Sequence, residues 1–262
     1  MPIHAAGIYD TPSDGPSTSL PDLAISSYTP TVSSLLERVA SPRNSGDAPG
    51  GLLMISQSNT LNMPKIPATK TEIKSVQLVL DKYKISYTAI EDERATLEAV
   101  LNGLKSNASV HLACHAIQDT SEPLRSGFYL HDGRLELAEI MKKSLPKAQL
   151  AFLSACQTST GNERLSEEAV HLAAGMLAAG YRGVVATMWS IQDKYGPVVA
   201  KDFYDSLLSG ALGKEGEDAG RDGLDSTGGA RSLHVAIKRL RDSLGTSEAS
   251  FLAWVPYVYI GF

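Results

Sequence analysis

The 262-residue chain has two cysteines, Cys114 and Cys156, and no apolar run that approaches the roughly 18 residues of a membrane span. Two thiols cannot build a disulfide framework, so the sequence predicts a reducing, cytoplasmic setting and no membrane association. Positive charge is not in excess: 24 basic side chains face 29 acidic ones, a net charge of −5, and the basic residues are scattered. The electrostatic footprint of a nucleic-acid partner is therefore missing. The amino terminus offers neither a basic stretch followed by an apolar one nor a small-residue cleavage site, so it does not read as a secretory signal. A Gly-rich phosphate loop ending in Lys-Ser or Lys-Thr is also missing. Cys114 and His115 are adjacent, point apart along a strand and have no second close pair of ligands, which argues against zinc. Nothing in the chain asks for a metal or a cofactor.

What is present is a full core, 43% apolar, read as one domain over residues 1–262. The chain starts abruptly with Pro2-Ile3-His4-Ala5-Ala6-Gly7, which reads as a strand exit and suggests a fragment of a longer protein. Strands are expected at Leu23–Tyr28, Gly51–Ser56, Ile85–Ile90, Ser109–Ala116, Gln149–Cys156, Gly183–Trp189 and Trp254–Ile260. Pro256 marks the last as an edge or a bulge. Helical spacing appears from Pro30 to Val39, from Thr69 to Leu80, over Glu91–Leu104 and Leu137–Leu145, from Leu165 to Met176, from Val198 to Leu207, and over Arg231–Leu244. Gly180 caps the helix ending near Met176. Gly127–Leu130 and Arg134–Leu137 flank Asp132-Gly133 and form a small hairpin. Gly210–Gly229 reads as a flexible, acidic, Gly-rich insertion. Alternating strands and helices give the α/β class: a three-layer α/β/α sandwich on a mostly parallel sheet, with the small hairpin inserted.

Two apolar runs end in reactive side chains, Ser109–Ala116 in His115 and Gln149–Thr158 in Cys156. Residues just past the carboxyl ends of parallel strands line the ligand crevice. If the two strands are neighbours, imidazole and thiol face one crevice, as a thiolate nucleophile with a proton acceptor requires. Cys114 is assigned to the core, because buried thiols are common and it points away from His115. The residues alone leave Cys156 open between nucleophile and core hydrophobe, and His115 between base and structural histidine. A phosphatase loop fails on spacing, since Asn162 stands where an arginine should follow Cys156.

The segments His111-Leu112-Ala113-Cys114-His115-Ala116, Asp119, Pro123-Leu124, Ser126-Gly127, Asp132-Gly133, Leu153-Ser154-Ala155-Cys156-Gln157-Thr158, Glu168-Ala169, His171-Leu172-Ala173 and Thr187-Met188-Trp189 with Asp193 resemble a CHAT domain. This family groups with the caspase, separase and gingipain-like cysteine peptidases. The resemblance is dense from Ser109 to Tyr204 and looser at the flanks. It implies a caspase-like sandwich with His115 and Cys156 as the catalytic dyad, and oxyanion donors from the backbone N–H groups of Ala116 and Cys156. Many relatives carry glycine where Ala116 stands. Alanine keeps the donor and costs something like 1 kcal/mol only if the position needs φ > 0.

The resemblance also implies a protein substrate and control by a preceding repeat region or an activating partner. Asp119 and Asp193 are candidates for binding a basic residue before the cut; the plainer reading has Asp119 capping a turn and Asp193 starting a helix. The leading reading is thus a cysteine endopeptidase that cleaves a partner protein. A catalytically silent interaction module is the alternative, and a flavodoxin-like small-molecule enzyme a weaker third.

Overall fold

The structure is a computed structural model that describes residues 2–9, 19–31, 36, 50–119, 121–143, 145, 147–154, 156–157, 169–212, 224 and 226–261. In chain order the named elements are α1 (Leu20–Leu23), β1 (Leu52–Ser56), α2 (Ala68–Tyr83), β2 (Tyr87–Glu91), α3 (Leu97–Ser106), β3 (Ser109–Ala113) and β4 (His115–Ile117). They continue with β5 (Gly127–Tyr129), β6 (Arg134–Glu136), α4 (Leu137–Met141), β7 (Leu150–Leu153), β8 (Cys156–Gln157), α5 (Ala169–Ala178) and β9 (Gly183–Thr187). The last four are α6 (Gly196–Leu212), α7 (Gly229–Leu244), α8 (Glu248–Trp254) and β10 (Tyr257–Gly261).

The main sheet has strand order β10-β9-β7-β3-β1-β2. All its neighbours run parallel except the edge pair β10–β9. The central strands β1, β3, β7 and β9 are buried along their whole length, as a sheet covered on both faces demands. Leu53, Ile55, Val110, Leu112, Ala151 and Val184 point to one face and pack with α3, α4 and α5. Leu52, Met54, Leu150, Phe152 and Val185 point to the other and pack with α2, α6, α7 and α8. The expected three-layer, mostly parallel sandwich is therefore present. Local chemistry fixes the helix ends: Thr96 Oγ1 accepts from Ala99 N–H at the start of α3, and Lys84 closes α2 in the left-handed conformation, φ 57°.

Several expected elements shift. The strand expected over Leu23–Tyr28 is absent. Pro21 and Asp22 favour the short helix α1, and only Tyr28 touches the sheet, as a bridge to Ile260. Trp254 ends helix α8, which Ser247 caps through Ser250 N–H, so the closing strand starts only after Pro256. It is an edge strand, as that proline required. The Glu91–Leu104 helix splits into a 3₁₀ turn over Asp92–Arg94 and α3. Helix α4 ends at Met141, short of Leu145. Gly210–Leu212 close α6, while Ser226–Gly228 form a 3₁₀ turn leading into α7. The rest of the expected insertion, apart from buried Leu224, lies outside the described residues, as do most of the Pro30–Val39 helix and the loop after Gln157.

Candidate active site

The strands β3 and β7 are parallel neighbours, with Val110, His111 and Leu112 in register with Ala151, Phe152 and Leu153. Both then leave the main sheet. The run expected as one strand, Ser109–Ala116, breaks at Cys114, and its continuation β4 enters a second, four-stranded sheet of order β6-β5-β4-β8. There β4 and β8 remain parallel and place His115 in direct register with Cys156. Neighbouring strands lie about 4.8 Å apart, so the two backbones adjoin. The hairpin β5–β6 forms the other half of this sheet, with Phe128 opposite Ala116.

Alternation sorts the side chains. Cys114 and Ala116 are fully buried in the core beneath α3–α5, while His115 projects to the opposite side and is 3% exposed. Cys114 is thus a core thiol, as expected. Ala116 is not among the described residues with positive φ, which besides glycines are Asn62, Lys84 and Asp92. Alanine in place of glycine therefore brings no left-handed strain at this position.

The imidazole is oriented by a loop that sequence reading left without a role. His115 Nε2 lies 2.7 Å from the carbonyl oxygen of Pro64. A carbonyl only accepts, so Nε2 carries the hydrogen and donates. The buried Nδ1 has no hydrogen-bond partner among the described residues. In the neutral ring Nδ1 is then the bare, basic nitrogen. The loop itself is anchored: Ile66 N–H donates to Ser58 O at 3.0 Å, and Ser58 donates to Asp92 Oδ1 through N–H and Oγ at 2.9 and 2.8 Å. Lys70 pairs with the other Asp92 oxygen at 2.5 Å. Partial burial alone would raise the Asp92 pKa, but Lys70 and Ser58 outweigh it and hold the carboxyl below its ordinary range.

The two candidate specificity carboxylates make capping bonds. Asp119 Oδ1 accepts from Ser121 and Glu122 N–H at 3.0 and 2.9 Å, closing a turn. Asp193 Oδ2 accepts from Ala68 N–H at 3.0 Å, at the first turn of α2. The structure adds a buried cluster on the His115 side of the sheet that the sequence pattern did not single out. Glu72 of α2 accepts from His111 Nε2 at 2.9 Å and from Ser154 Oγ at 3.0 Å. Tyr204 OH lies 3.3 Å from His111 Nδ1, and burial together with the charge of Glu72 raises its pKa well above the ordinary value. The available signal was a glutamate on the apolar stripe of α2, with Val76, Val79 and Leu80. Among the described residues no group of three or more His, Cys, Asp or Glu is placed to hold a metal ion, and no helix is long and apolar enough to cross a membrane.

Against known proteins, the chain matches the family model of the CHAT domain over residues 2–261. Its fold is similar to the Arg-specific cysteine proteinase gingipain R, at 11% identity and a TM-score of 0.53, covering 82% of this chain and 46% of that one. A complex of the pro- and mature domains of Porphyromonas gingivalis RgpB gives 8% identity, a TM-score of 0.52, and coverage of 82% and 47%. The Saccharomyces cerevisiae separase–securin complex gives 14% identity and a TM-score of 0.55, covering 93% of this chain and 14% of that one. The chain thus spans less than half the length of each of these proteins. A sequence search of curated proteins gave no significant match.

Proposed function

The chain belongs to the CHAT domain family, and from that premise we propose that it is a cysteine endopeptidase acting on a partner protein through a His115–Cys156 dyad. The observation that carries this reading is the direct register of His115 with Cys156, combined with an imidazole whose Nε2–H is engaged by Pro64 and whose Nδ1 has no partner among the described residues. In the proposed reaction the Cys156 thiol gives its proton to His115, and the thiolate adds to the scissile carbonyl carbon. The backbone N–H groups of Ala116 and Cys156 stabilise the oxyanion. As the C–N bond breaks, His115 returns the proton to the leaving amine. Water then adds to the thioester and releases the acid, regenerating the thiol.

His115 is nearly fully buried, which supports control by a preceding regulatory region or an activating partner that admits a polypeptide substrate, whereas a small alkylating reagent needs far less opening. The two-cysteine composition supports a reducing, cytoplasmic setting. Recognition of Arg or Lys before the cut is a secondary proposal. It rests on Asp119 Oδ2 and Asp193 Oδ1, which have no partner among the described residues. A substrate library in which Leu or Met precedes every cut would sink it.

The test of the dyad is the iodoacetamide alkylation rate of each cysteine in the folded protein at about pH 6, where an unperturbed thiol is almost wholly protonated. Cys114, fully buried, is the internal control. Fast labelling of Cys156 that His115→Ala abolishes is the expected result. Slow labelling unchanged by His115→Ala would favour the catalytically silent interaction module.

A further inference from the structure

The buried cluster around Glu72 touches both strands that carry the proposed dyad. His111 sits on β3, four residues before His115, and Ser154 stands at the end of β7, two residues before Cys156. Alternation puts His111, Ala113 and His115 on one side of their strand line, and Phe152 with Ser154 on the same side of theirs. The carboxylate of Glu72 receives one bond from each strand, 2.9 Å from His111 Nε2 and 3.0 Å from Ser154 Oγ. The His111 ring is further fixed by stacking on Phe152, centroids 4.8 Å apart and 9° from parallel.

The surroundings are shaped around this carboxylate. A Cβ at Gly196, the first residue of α6, would lie 2.5 Å from Glu72 Oε2 and 3.3 Å from Ser154 Oγ. Gly196 itself has ordinary helical angles, φ −49° and ψ −54°, so space rather than conformation calls for glycine. A carboxylate this deep is costly unless donors surround it, and a core leucine would fill the volume without that cost. Glu72 also belongs to the helix entered directly from the loop whose Pro64 carbonyl orients His115.

We propose that Glu72, with Ser154 as its contact, is a positioning residue that holds the Cys156-bearing strand end in register with the His115-bearing one. The proposal rests on the dyad reading above. The bond clamps β7 immediately before the chain leaves the main sheet, so the alignment of Cys156 with His115 depends on it. Removing the bond leaves the sheet core intact and lets the β8 segment drift relative to β4.

The experiment measures the Cys156 alkylation rate at about pH 6 and at about pH 9 in the parent chain and in Ser154→Ala, Ser154→Thr, Glu72→Gln and the Ser154→Ala/Glu72→Gln double variant. At the higher pH an unassisted thiol is already largely ionised, so the ratio of the two rates reads the assistance of the imidazole rather than simple access. Ser154→Ala and Glu72→Gln are each expected to lower that ratio by about tenfold, a partial displacement on a scale where about 1 Å can cost about 100-fold. The double variant should lose no more than the worse single one, because both act on the one Glu72–Ser154 contact: alanine deletes it, and glutamine replaces the charged acceptor with a neutral amide. Ser154→Thr, which keeps the hydroxyl, should stay near the parent.

Protection of Cys114 shows that the core is closed in each variant. Should Glu72→Gln expose Cys114, the Ser154 pair decides alone. Ratios within about twofold of the parent for Ser154→Ala, with Cys114 protected, overturn the proposal. If His115→Ala leaves the parent ratio unchanged, the dyad reading has failed instead, a result separate from any Ser154 variant.

Discussion

His115 Nε2 donates to the carbonyl oxygen of Pro64 at 2.7 Å, across 51 residues of sequence. The ring of the proposed base is therefore set by the loop after β1 and not by its own strand, and whatever anchors that loop acts on the site.

Asp92 is such an anchor, through its two bonds from Ser58. Asp92→Asn should lower stability by about 1 kcal/mol at neutral pH, because the amide oxygen still accepts both Ser58 bonds and only their charge assistance is lost. Folding lowers this carboxyl's pKa from its ordinary 3.8, so its contribution is complete above that value and is lost as the pH falls through the lower folded value. Urea midpoints of parent and variant should thus differ at pH 7 and converge as the pH falls below 3.8 and through the lower folded value. A gap that stays constant with pH would contradict this.

Gly127 opens the hairpin strand that pairs with β4. A Cβ there would stand 2.2 Å from Leu135 O and 3.0 Å from Glu136 Cα, both backbone atoms with little room to yield. Gly127→Ala should cost about 2 kcal/mol by overpacking and speed amide exchange at Ala116 and Ile117. Unchanged exchange would show that the small sheet absorbs the methyl group.

Asp193 is expected to act first as a cap. Asp193→Ala removes the acceptor of Ala68 N–H and should cost about 1 kcal/mol in denaturant unfolding. A simultaneous loss of preference for Arg or Lys in a cleavage library would show that the same carboxylate also reads substrate.

Phe152 is 1% exposed, stacks on His111 and lies 5.2 Å, centroid to centroid, from Phe203. Phe152→Ala should destabilise the chain by about 3–5 kcal/mol, read by thermal or urea unfolding. A loss below about 1 kcal/mol would mean that the neighbouring rings collapse into the space.

The two strand ends were legible because a buried parallel strand is a bare apolar run, and the residue where the run stops is visible in the sequence. His115 and Cys156 both stand at such stops, and the condition that their strands be neighbours is met by the pairing of β3 and β7. Trp254 was misread as strand because a fully buried helix end and a strand start share the same apolar run, and only the Ser247 cap separates them. The break at Cys114 was not legible either. The main sheet and the small sheet split there without any glycine or proline to mark the place.

By itself, then, the sequence determined the layered α/β class, the burial of Cys114 and the two chemically active strand ends, since these follow from periodicity and alternation within short segments. The tertiary structure alone decided the partner of the imidazole, the bonds of Asp119 and Asp193, and the Glu72 bridge between the two strands. Each depends on atoms brought together from distant parts of the chain. A backbone carbonyl such as that of Pro64 carries no signature in the order of side chains, and a buried glutamate shows its purpose only once His111 and Ser154 close around it.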